Sequence, residues 1–274
     1  MLHVLLQSKT LQILTGKIFA DSTYIYIGDF GNNSGSRTDL KIYRLLISDY
    51  LTTPNDTVTA DIINFSYLDQ SDFNTSQFST NFDAEAIISY NDSLIIFTKN
   101  WGNNWTSIYV LPTSPGTYQV EKTDSIDVQG LITGGIYDEI ANTILLSGYT
   151  FSDPFIVEIS GFTSNGFSNG TINRYLINPP SGSSLQIEGI TTFEANQYYL
   201  TAEINAGGAP SLYRLNQSQC PNDVNNDGST TVSDLLIVLS EFGCPSTCTA
   251  DVNGDGSVTV ADVLLVLSAF GSLC

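Results

Sequence analysis

Two acidic segments near the C-terminus carry the residue types and spacing of a metal-binding loop. They are Asp223-Val-Asn-Asn-Asp-Gly-Ser-Thr-Thr-Val-Ser-Asp234 and Asp251-Val-Asn-Gly-Asp-Gly-Ser-Val-Thr-Val-Ala-Asp262. Oxygen-bearing side chains stand at loop positions 1, 3, 5, 9 and 12, and glycine at position 6 allows the sharp turn that wraps such a loop around Ca²⁺. The pattern therefore predicts two calcium ions, one in each loop. The predicted ligands are Asp223, Asn225, Asp227, Ser229, Thr231 and Asp234 in the first loop, and Asp251, Asn253, Asp255, Ser257, Thr259 and Asp262 in the second. The two serines would contribute backbone carbonyls, and the two threonines would bind directly or through water.

Duplication separates these loops from ordinary surface turns. A single Asp-x-Asn-x-Asp-Gly stretch would suit such a turn, because Asn, Asp and Gly favour turn conformations. Here the first residues, Asp223 and Asp251, lie 28 positions apart, and both loops run directly into an apolar segment that ends in Phe-Gly. These segments, 235–243 and 263–271, each predict a short helix that is stopped by its glycine.

The order from loop to helix carries a family resemblance. No helical pattern precedes either loop, and residues 220–274 resemble the type I dockerin family, whose repeats have the same order. The resemblance implies a small α module that binds calcium through the loop residues and docks a secreted protein onto a cohesin-like or cell-surface protein. The sequence departs from the cohesin-binding pattern at loop positions 10 and 11, which are Val232-Ser233 and Val260-Ala261, and no Lys or Arg follows Arg214.

All four cysteines, at positions 220, 244, 248 and 274, lie in the same region. Symmetry between the repeats favours Cys220 with Cys244 and Cys248 with Cys274, although four cysteines allow three pairings. Disulfides are a better interpretation than reduced thiols, because the cysteines respect the repeat boundary, and no C-x-x-C spacing supports zinc. Oxidised cysteines and calcium loops together predict an extracellular or cell-surface location.

Length and charge limit the remaining choices. The 274 residues suffice for one large domain, predicted at 1–217, and one small module at 218–274. A formal net charge of −19 argues against a nucleic-acid partner. No apolar run approaches the ~20 residues of a membrane-spanning helix. The apolar patch in residues 1–14 is interrupted by Lys9 and Gln12 and is not read as a signal peptide, so we expect that the N-terminus is truncated.

Residues 1–217 show alternating apolar and polar positions that are typical of strands separated by turns. A sequence pattern of three strands recurs at 84–111, 130–159 and 188–215. Residues 24–30 and 40–47 supply the second and third strands of an earlier set that lacks its inner strand. Residues 59–67, 118–126 and 172–177 each predict one further strand. Repeating units of this kind predict a mainly β fold with about four visible propeller blades, with a β-sandwich as the alternative.

Several phrases in this region are similar to those of secreted, largely uncharacterised propeller-like proteins of bacteria with type IX secretion. The phrases lie at 24–33, 81–87, 94–101 and 186–191. The resemblance implies a fold and a secreted location rather than an activity.

Carboxylates near strand ends are the candidate chemistry of this domain. Asp83 and Glu85 lie two residues apart on a predicted strand and should share a face, and Gln186 and Glu188 repeat the arrangement. If both strands are innermost, the side chains converge near the central channel, where Asp29, Lys99 and Glu203 could join them. Asp83, Glu85 and Glu188 are then weak candidates for a hydrolytic pair or a channel metal site, and the plainer interpretation is a hydrated channel lining.

Trp101 and Trp105 share one loop, where they could stack on sugar rings or fold back over a blade edge. The leading hypothesis is a secreted, calcium-binding, non-catalytic protein whose propeller recognises a glycan or protein and whose tail docks to a partner. The alternatives are a polysaccharide-active hydrolase or lyase that carries a dockerin, and a calcium-stiffened spacer.

Overall fold

The computed structural model describes residues 17–52, 58–74, 76–151, 153–163, 166–177, 185–194, 197–203, 210–215, 222–225, 229–245 and 248–271. The chain divides into two compact units, Met1–Leu215 and Asn216–Cys274. We call them the propeller unit and the tail unit and describe each separately.

The propeller unit is built almost entirely from strands. In the first half of this unit the elements are β1 (Lys17–Ala20), β2 (Tyr24–Asp29), β3 (Lys41–Leu46), α1 (Ile47–Thr52), β4 (Asp61–Tyr67), β5 (Ala84–Tyr90), β6 (Ser93–Thr98), β7 (Trp105–Pro112) and β8 (Gly116–Val120). The second half contains β9 (Lys122–Asp127), β10 (Leu131–Asp138), β11 (Thr143–Tyr149), β12 (Pro154–Ser160), β13 (Thr171–Leu176), β14 (Ile187–Glu194), β15 (Gln197–Ala202) and β16 (Ser211–Leu215).

These strands form four sheets in the arrangement of a four-bladed β-propeller. The first blade has the order β1-β2-β3-β4-β8, the second β5-β6-β7-β9, the third β10-β11-β12-β13 and the fourth β14-β15-β16. The first strands of successive blades pack together, β1 on β5, β5 on β10 and β10 on β14. Four separate meanders that meet through their first strands are a propeller arrangement, so the β-sandwich alternative is wrong for the described residues.

Two details of the predicted strand pattern are corrected. The first blade does have an inner strand, β1, which pairs antiparallel with β2. The single strand predicted at 118–126 is two strands: β8 pairs in parallel with β4 of the first blade, whereas β9 pairs with β7 of the second. Only Glu121 separates β8 from β9. The chain therefore passes from the first blade to the second between β8 and β9, which links the two blades. The sequence pattern shows no break at this point.

Apolar side chains fill the interfaces between consecutive blades. Tyr26, Ile42 and Phe65 of the first blade pack with Leu94 and Tyr109 of the second. Similar clusters join the second blade to the third and the third to the fourth. Each buried large side chain contributes about 1.5–3 kcal/mol, so the blades are held to one another mainly by hydrophobic burial.

The tail unit contains two helices, α2 (Val232–Ser240) and α3 (Val260–Ser268). Each begins three residues earlier than predicted, because Thr231 and Thr259 act as N-caps and Asp234 and Asp262 complete capping boxes. Gly243 and Gly271 adopt φ values of +86° and +82° just beyond the helices, in agreement with the predicted glycine stops. A small core of Val238, Ala250, Val258 and Val266 lies between the helices and loops.

The tail unit also corrects the expected disulfides. Cys244 is bonded to Cys248, with the two Cα atoms 6.0 Å apart. The symmetric pairing of Cys220 with Cys244 and Cys248 with Cys274 is therefore wrong, and Cys220 and Cys274 lie outside the described residues. The physical reason is local: Cys244 and Cys248 are four residues apart and both pack against the small core, so they pair with each other and not across the repeat.

Candidate functional site

A β-bulge recurs at the start of three inner strands. In β5, Ala84 pairs with Thr98 and Ala86 with Phe97, which leaves Glu85 as the extra residue. The same shift makes Thr133 the extra residue in β10 and Glu188 the extra residue in β14. Bulges re-aim side chains and are frequent next to active sites. Both glutamates predicted as candidates therefore occupy equivalent, specially directed positions in the second and fourth blades.

The third and fourth blades approach closely at these bulges. The Thr133 hydroxyl donates to the backbone carbonyl of Ile187. A Cβ atom on Gly134 would lie 2.8 Å from the Cα of Gly189, so glycine is required for the two inner strands to meet. Because Ile187 and Gly189 flank Glu188, these contacts fix the backbone that carries this glutamate.

Lys99 links the carboxylates. Its Nζ lies 3.0 Å from Oε1 of Glu85, and the lysine and glutamate side chains are only 5% and 20% exposed. Burial lowers the pKa of Lys99, but the charge of Glu85, together with the interactions with Tyr149 and Glu188, outweighs it and leaves the pKa above its ordinary value. Lys99 is therefore a buried ammonium ion that is stabilised by groups from the second, third and fourth blades.

Aromatic rings cover this ammonium ion. Lys99 Nζ lies 4.9 Å from the centroid of the Trp101 ring and 5.1 Å from that of Tyr149. Both distances suit a cation–π contact. Burial raises the pKa of the Tyr149 hydroxyl, and Lys99 only partly offsets this effect. At neutral pH, Tyr149 keeps its proton and can donate a hydrogen bond.

Asp83 holds the site together from behind. The structure places it just before β5 and fully buried, so it does not share the strand with Glu85 as predicted. Its Oδ1 accepts from the Asn32 backbone N–H at 2.6 Å, and its Oδ2 accepts from Nε1 of Trp101 at 2.9 Å. Burial, followed by the charge of Glu85, raises the pKa of Asp83. With both oxygens engaged and no exposed surface, Asp83 is suited to positioning Trp101.

An open cleft of about 450 Å³, which we call the aromatic cleft, lies over Trp101 and Tyr149. The residues that line it are Phe78, Trp101, Asn104, Gln129, Gly130, Leu131, Tyr149, Thr150, Phe151, Leu185 and Gln186. Phe78 packs against Trp101 with ring centroids 4.6 Å apart, and Phe151 is fully exposed at the rim. Among the described residues, the lining thus combines four aromatic rings with amide and hydroxyl side chains and contains no charged residue.

Three other predicted residues lie apart from this cleft lining. Asp29 forms an ion pair with Arg37 at 2.9 Å. Glu203 is exposed, and its backbone N–H donates to Gln186. Trp105 is 39% exposed at the first residue of β7 and does not line the cleft, so the two tryptophans of the loop have different environments.

Sequence reasoning did not identify Phe78, Tyr149 and Phe151. Phe78 lies in a stretch of Asn, Ser, Thr and Gln without strand periodicity, and Tyr149 ends a strand that reads as ordinary core. The recurring three-strand pattern could have identified Tyr149, because it places Tyr149, like Lys99, at the end of the second strand of its blade.

In the tail unit, the second loop turns its predicted ligands toward one another. Asp251 accepts through Oδ1 from the Asp255 N–H at 3.2 Å and through Oδ2 from the Gly256 N–H at 2.7 Å. Asn253 Oδ1 also accepts from the Asp255 N–H, at 2.8 Å. Gly256 has φ +93°, the left-handed turn expected at position 6. Positions 1, 3 and 5 therefore surround one short stretch of backbone, as a calcium loop requires.

The aspartate at position 12 closes each loop. Asp234 Oδ1 accepts from the backbone N–H groups of Val224 and Asn225, and its Oδ2 accepts from that of Thr231. Asp262 makes the corresponding bonds to Val252, Asn253 and Thr259. Burial raises the pKa of both carboxyls, but these backbone hydrogen bonds outweigh it and hold the pKa below its usual value.

The fit to Ca²⁺ rests on these oxygens. Asp227 lies outside the described residues, and Thr231 and Thr259 are N-caps whose hydroxyls lie 3.3 Å from the position-12 carboxylates. Within the described residues, no group of three or more His, Cys, Asp or Glu side chains has a metal-binding arrangement. The hard oxygen donors of the second loop nevertheless suit calcium, because carboxylate, amide and backbone oxygens are its usual ligands.

None of the helices in the described part of the chain is long and apolar enough to cross a membrane.

Comparisons with known proteins give structural similarity only. No family model and no curated protein matches the sequence. An exo-β-1,3-galactanase of Phanerochaete chrysosporium, crystallised with β-1,3-galactotriose, matches with a TM-score of 0.48 and 15% identity over 73% of this chain and 46% of its own. A PQQ-bound aldose sugar dehydrogenase of Streptomyces coelicolor matches with a TM-score of 0.38 and 10% identity over 70% of this chain and 57% of its own. The chain thus spans about half the length of these structures.

Proposed function

We propose that the propeller unit binds an uncharged glycan in the cleft over Trp101 and Tyr149. The observation that carries this proposal is the composition of the cleft lining. Sugar rings present apolar C–H faces and hydroxyl edges, so aromatic rings and amide groups are their matching partners. The four aromatic residues and the side chains of Asn104, Gln129, Thr150 and Gln186 supply both kinds of contact.

The charge distribution favours a neutral sugar over an acidic one. Lys99, the cation that contacts the Trp101 and Tyr149 rings, is ion-paired with Glu85 and is only 5% exposed. The protein as a whole carries a formal charge of −19, so a uronate or sulfate ester would approach against a repulsive field. A neutral glycan avoids this cost and keeps all of the aromatic contacts.

A matched pair of tryptophan variants tests this proposal. Isothermal titration calorimetry would measure the affinity of the full chain for a panel of neutral β-linked gluco-, xylo-, manno- and galacto-oligosaccharides. Trp101→Ala should lower the affinity at least about tenfold, because it removes the central ring. Trp105→Ala, a change of the same size outside the cleft, should leave it unchanged. Lack of binding to every sugar by the unaltered protein would refute the proposal.

The second candidate function is polysaccharide hydrolysis or elimination by Glu85 and Glu188. It is favoured by the two bulges that direct these glutamates in equivalent blades and by the charge of both on Lys99. In glycoside hydrolysis one carboxyl group protonates the leaving oxygen and the other acts as base or nucleophile. Glu85, whose Oε1 lies 3.0 Å from Lys99 Nζ, and Glu188 would take these two roles.

Reducing-end release from the same panel, extended with uronate-containing oligosaccharides as substrates for elimination, separates the two functions. Hydrolysis or elimination should disappear in Glu85→Gln and Glu188→Gln if these residues carry it. Turnover that survives both substitutions would remove them from the chemistry. Binding without any turnover would leave the non-catalytic function in place.

For the tail unit we propose two calcium ions, one per loop, and docking to a protein partner outside the cell. The position-12 aspartates already organise each loop, and calcium would neutralise the acidic side chains at positions 1 and 5. Because these side chains repel one another without the ion, binding should stabilise the fold of the tail. The Cys244–Cys248 disulfide supports an oxidising location.

The docking proposal is supported by apolar side chains on the outer faces of both helices. Val232, Leu236 and Leu239 of α2 are 49–59% exposed, and Val260, Leu264 and Leu267 of α3 are 47–59% exposed. A cohesin-like or cell-surface protein with an apolar, basic-rimmed surface would complement this acidic unit. Affinity capture by the full chain, with Leu236→Glu/Leu264→Glu as the negative control, tests it. If the tail is only a spacer, the unaltered chain and the Leu236→Glu/Leu264→Glu variant should capture the same proteins.

A further inference from the structure

Phe78 has a backbone conformation that a bulky residue rarely adopts. Its φ is +60°, in the left-handed region, where a Cβ atom is disfavoured. The backbone N–H of Phe78 donates to the carbonyl of Asn33 at 3.0 Å, which fixes this conformation against the loop that follows β2. Strain of this kind persists where the surrounding structure holds it, and it is concentrated at ligand-binding sites.

This strained residue and its neighbour line two different depressions. The Phe78 ring, half exposed, forms one wall of the aromatic cleft and packs against Trp101. The preceding residue, Gln77, lines a second depression of about 360 Å³. We call this second depression the polar depression, and its other lining residues are Gly31, Asn32, Asn33, Ser34 and Arg37.

The polar depression also suits an uncharged, hydroxyl-rich ligand. Arg37 is the only charged residue in its lining within the described part of the chain, and the Arg37 guanidinium contacts Asp29 and Asp39 at 2.9 Å each. The remaining lining consists of amides, a hydroxyl and glycine backbone. Each depression is within the usual size range of small-molecule sites, about 300–1,000 Å³, and adjacent residues of one chain segment line both.

We propose that the ligand is a linear neutral oligosaccharide that crosses Phe78, with one part in the aromatic cleft and the next part in the polar depression. This inference rests on the proposed glycan binding and adds the length and the path of the glycan. Phe78 is then the residue that determines chain-length preference, because only a ligand longer than one subsite reaches both sides of its ring.

Calorimetric titration of the full chain with mono- to hexasaccharides of each neutral series tests this. We expect the affinity to rise about tenfold or more between the shortest bound sugar and the hexasaccharide. Gln77→Ala should lower the affinity for the hexasaccharide and leave that for the shortest bound sugar unchanged, because it alters only the polar depression.

Phe78→Gly removes the ring and the strained conformation together. We expect an unchanged or higher Tm and an affinity that no longer depends on the length of the sugar. Phe73→Gly, a change in the same loop outside both depressions, should preserve this length dependence. Equal affinity for short and long sugars in the unaltered protein would overturn the inference and leave glycan binding intact. Failure of every sugar to bind would refute both proposals.

Discussion

The propeller unit and the tail unit use acidic residues in opposite ways. In the propeller, large apolar clusters join consecutive blades, and the buried carboxylate of Asp83 and the partly buried one of Glu85 are held in place around a site. In the tail, the fully buried apolar core consists of four small residues, and Asp234 and Asp262 tie the loops to the helices. Where the apolar core is large, carboxylates are available for a site, and where it is small, they also maintain the fold.

Breaking the buried ion pair should give the largest effect. Lys99→Met leaves Glu85 without its partner and should destabilise the propeller by about 3 kcal/mol. Lys41→Met is the matched control, because Lys41 pairs with the exposed Asp39 at 3.6 Å, and it should cost less than about 1 kcal/mol. Denaturant unfolding measures both. Lys99→Met/Glu85→Gln should recover much of the loss, and equal costs for the two lysine variants would contradict this assignment.

Removing the position-12 aspartate of one loop should lower the stability of the tail unit by nearly as much. Asp234→Ala leaves the N–H groups of Val224, Asn225 and Thr231 without their acceptor, and we expect a loss of about 3 kcal/mol. Scanning calorimetry in EDTA separates this effect from calcium binding. Ser233→Ala, an exposed neighbour, is the control. An unchanged tail transition in Asp234→Ala would show that the carboxylate does not maintain the fold.

The Cys244–Cys248 bond should contribute less, because it closes a short loop. With a sequence separation of four residues, loop-closure entropy corresponds to about 2 kcal/mol. Cys244→Ser/Cys248→Ser should lower the tail transition accordingly and leave the propeller transition in place. A shift in the propeller transition would contradict the separation of the two units.

Acidification should produce the smallest and most diagnostic difference. The folded-state pKa values of Asp234 and Asp262 are lowered by backbone hydrogen bonds, so their stabilising contribution is complete above the unfolded value of about 3.9 and is lost as the pH falls toward the folded values. Asp83 has the opposite sign. Burial raises its pKa, so its relative contribution is favourable below the unfolded value and is lost as the pH rises through the folded value.

Calorimetric scans in EDTA between pH 6 and pH 3 measure this contrast. The tail midpoint should fall across the lower part of this range, and Asp234→Ala should fall less steeply. A tail midpoint that does not depend on pH would contradict the role of the position-12 carboxylates.

The sequence was sufficient for features that depend on local pattern. The alternation of apolar and polar residues and the recurring three-strand pattern predicted most strands of the blades. The loop spacing predicted the turn at Gly256 and the helix that follows each loop. It failed where the outcome depends on tertiary pairing. The residues of β8 and β9 read as one strand because each is extended, and only the competing edges of the first and second blades separate them.

The candidate site was predictable in part for the same reason. Glu85, Glu188 and Lys99 lie at equivalent strand ends, and this is visible in the repeats. The bulges at Glu85 and Glu188 are mismatches between paired strands and leave no mark in a single strand's sequence. Phe78 reaches the cleft only because its loop is held by Asn33, a contact over 45 residues of chain.

The central claim is that a glycan lies against Trp101, and the two tryptophans of the chain allow a direct measurement. Trp105→Phe leaves Trp101 as the only indole, and Trp101→Phe leaves only Trp105. Titration of each variant with a neutral hexasaccharide, followed by tryptophan fluorescence, should give a saturable change in emission for Trp105→Phe and none for Trp101→Phe. Saturable binding detected by calorimetry without any change in Trp101 emission would contradict the claim.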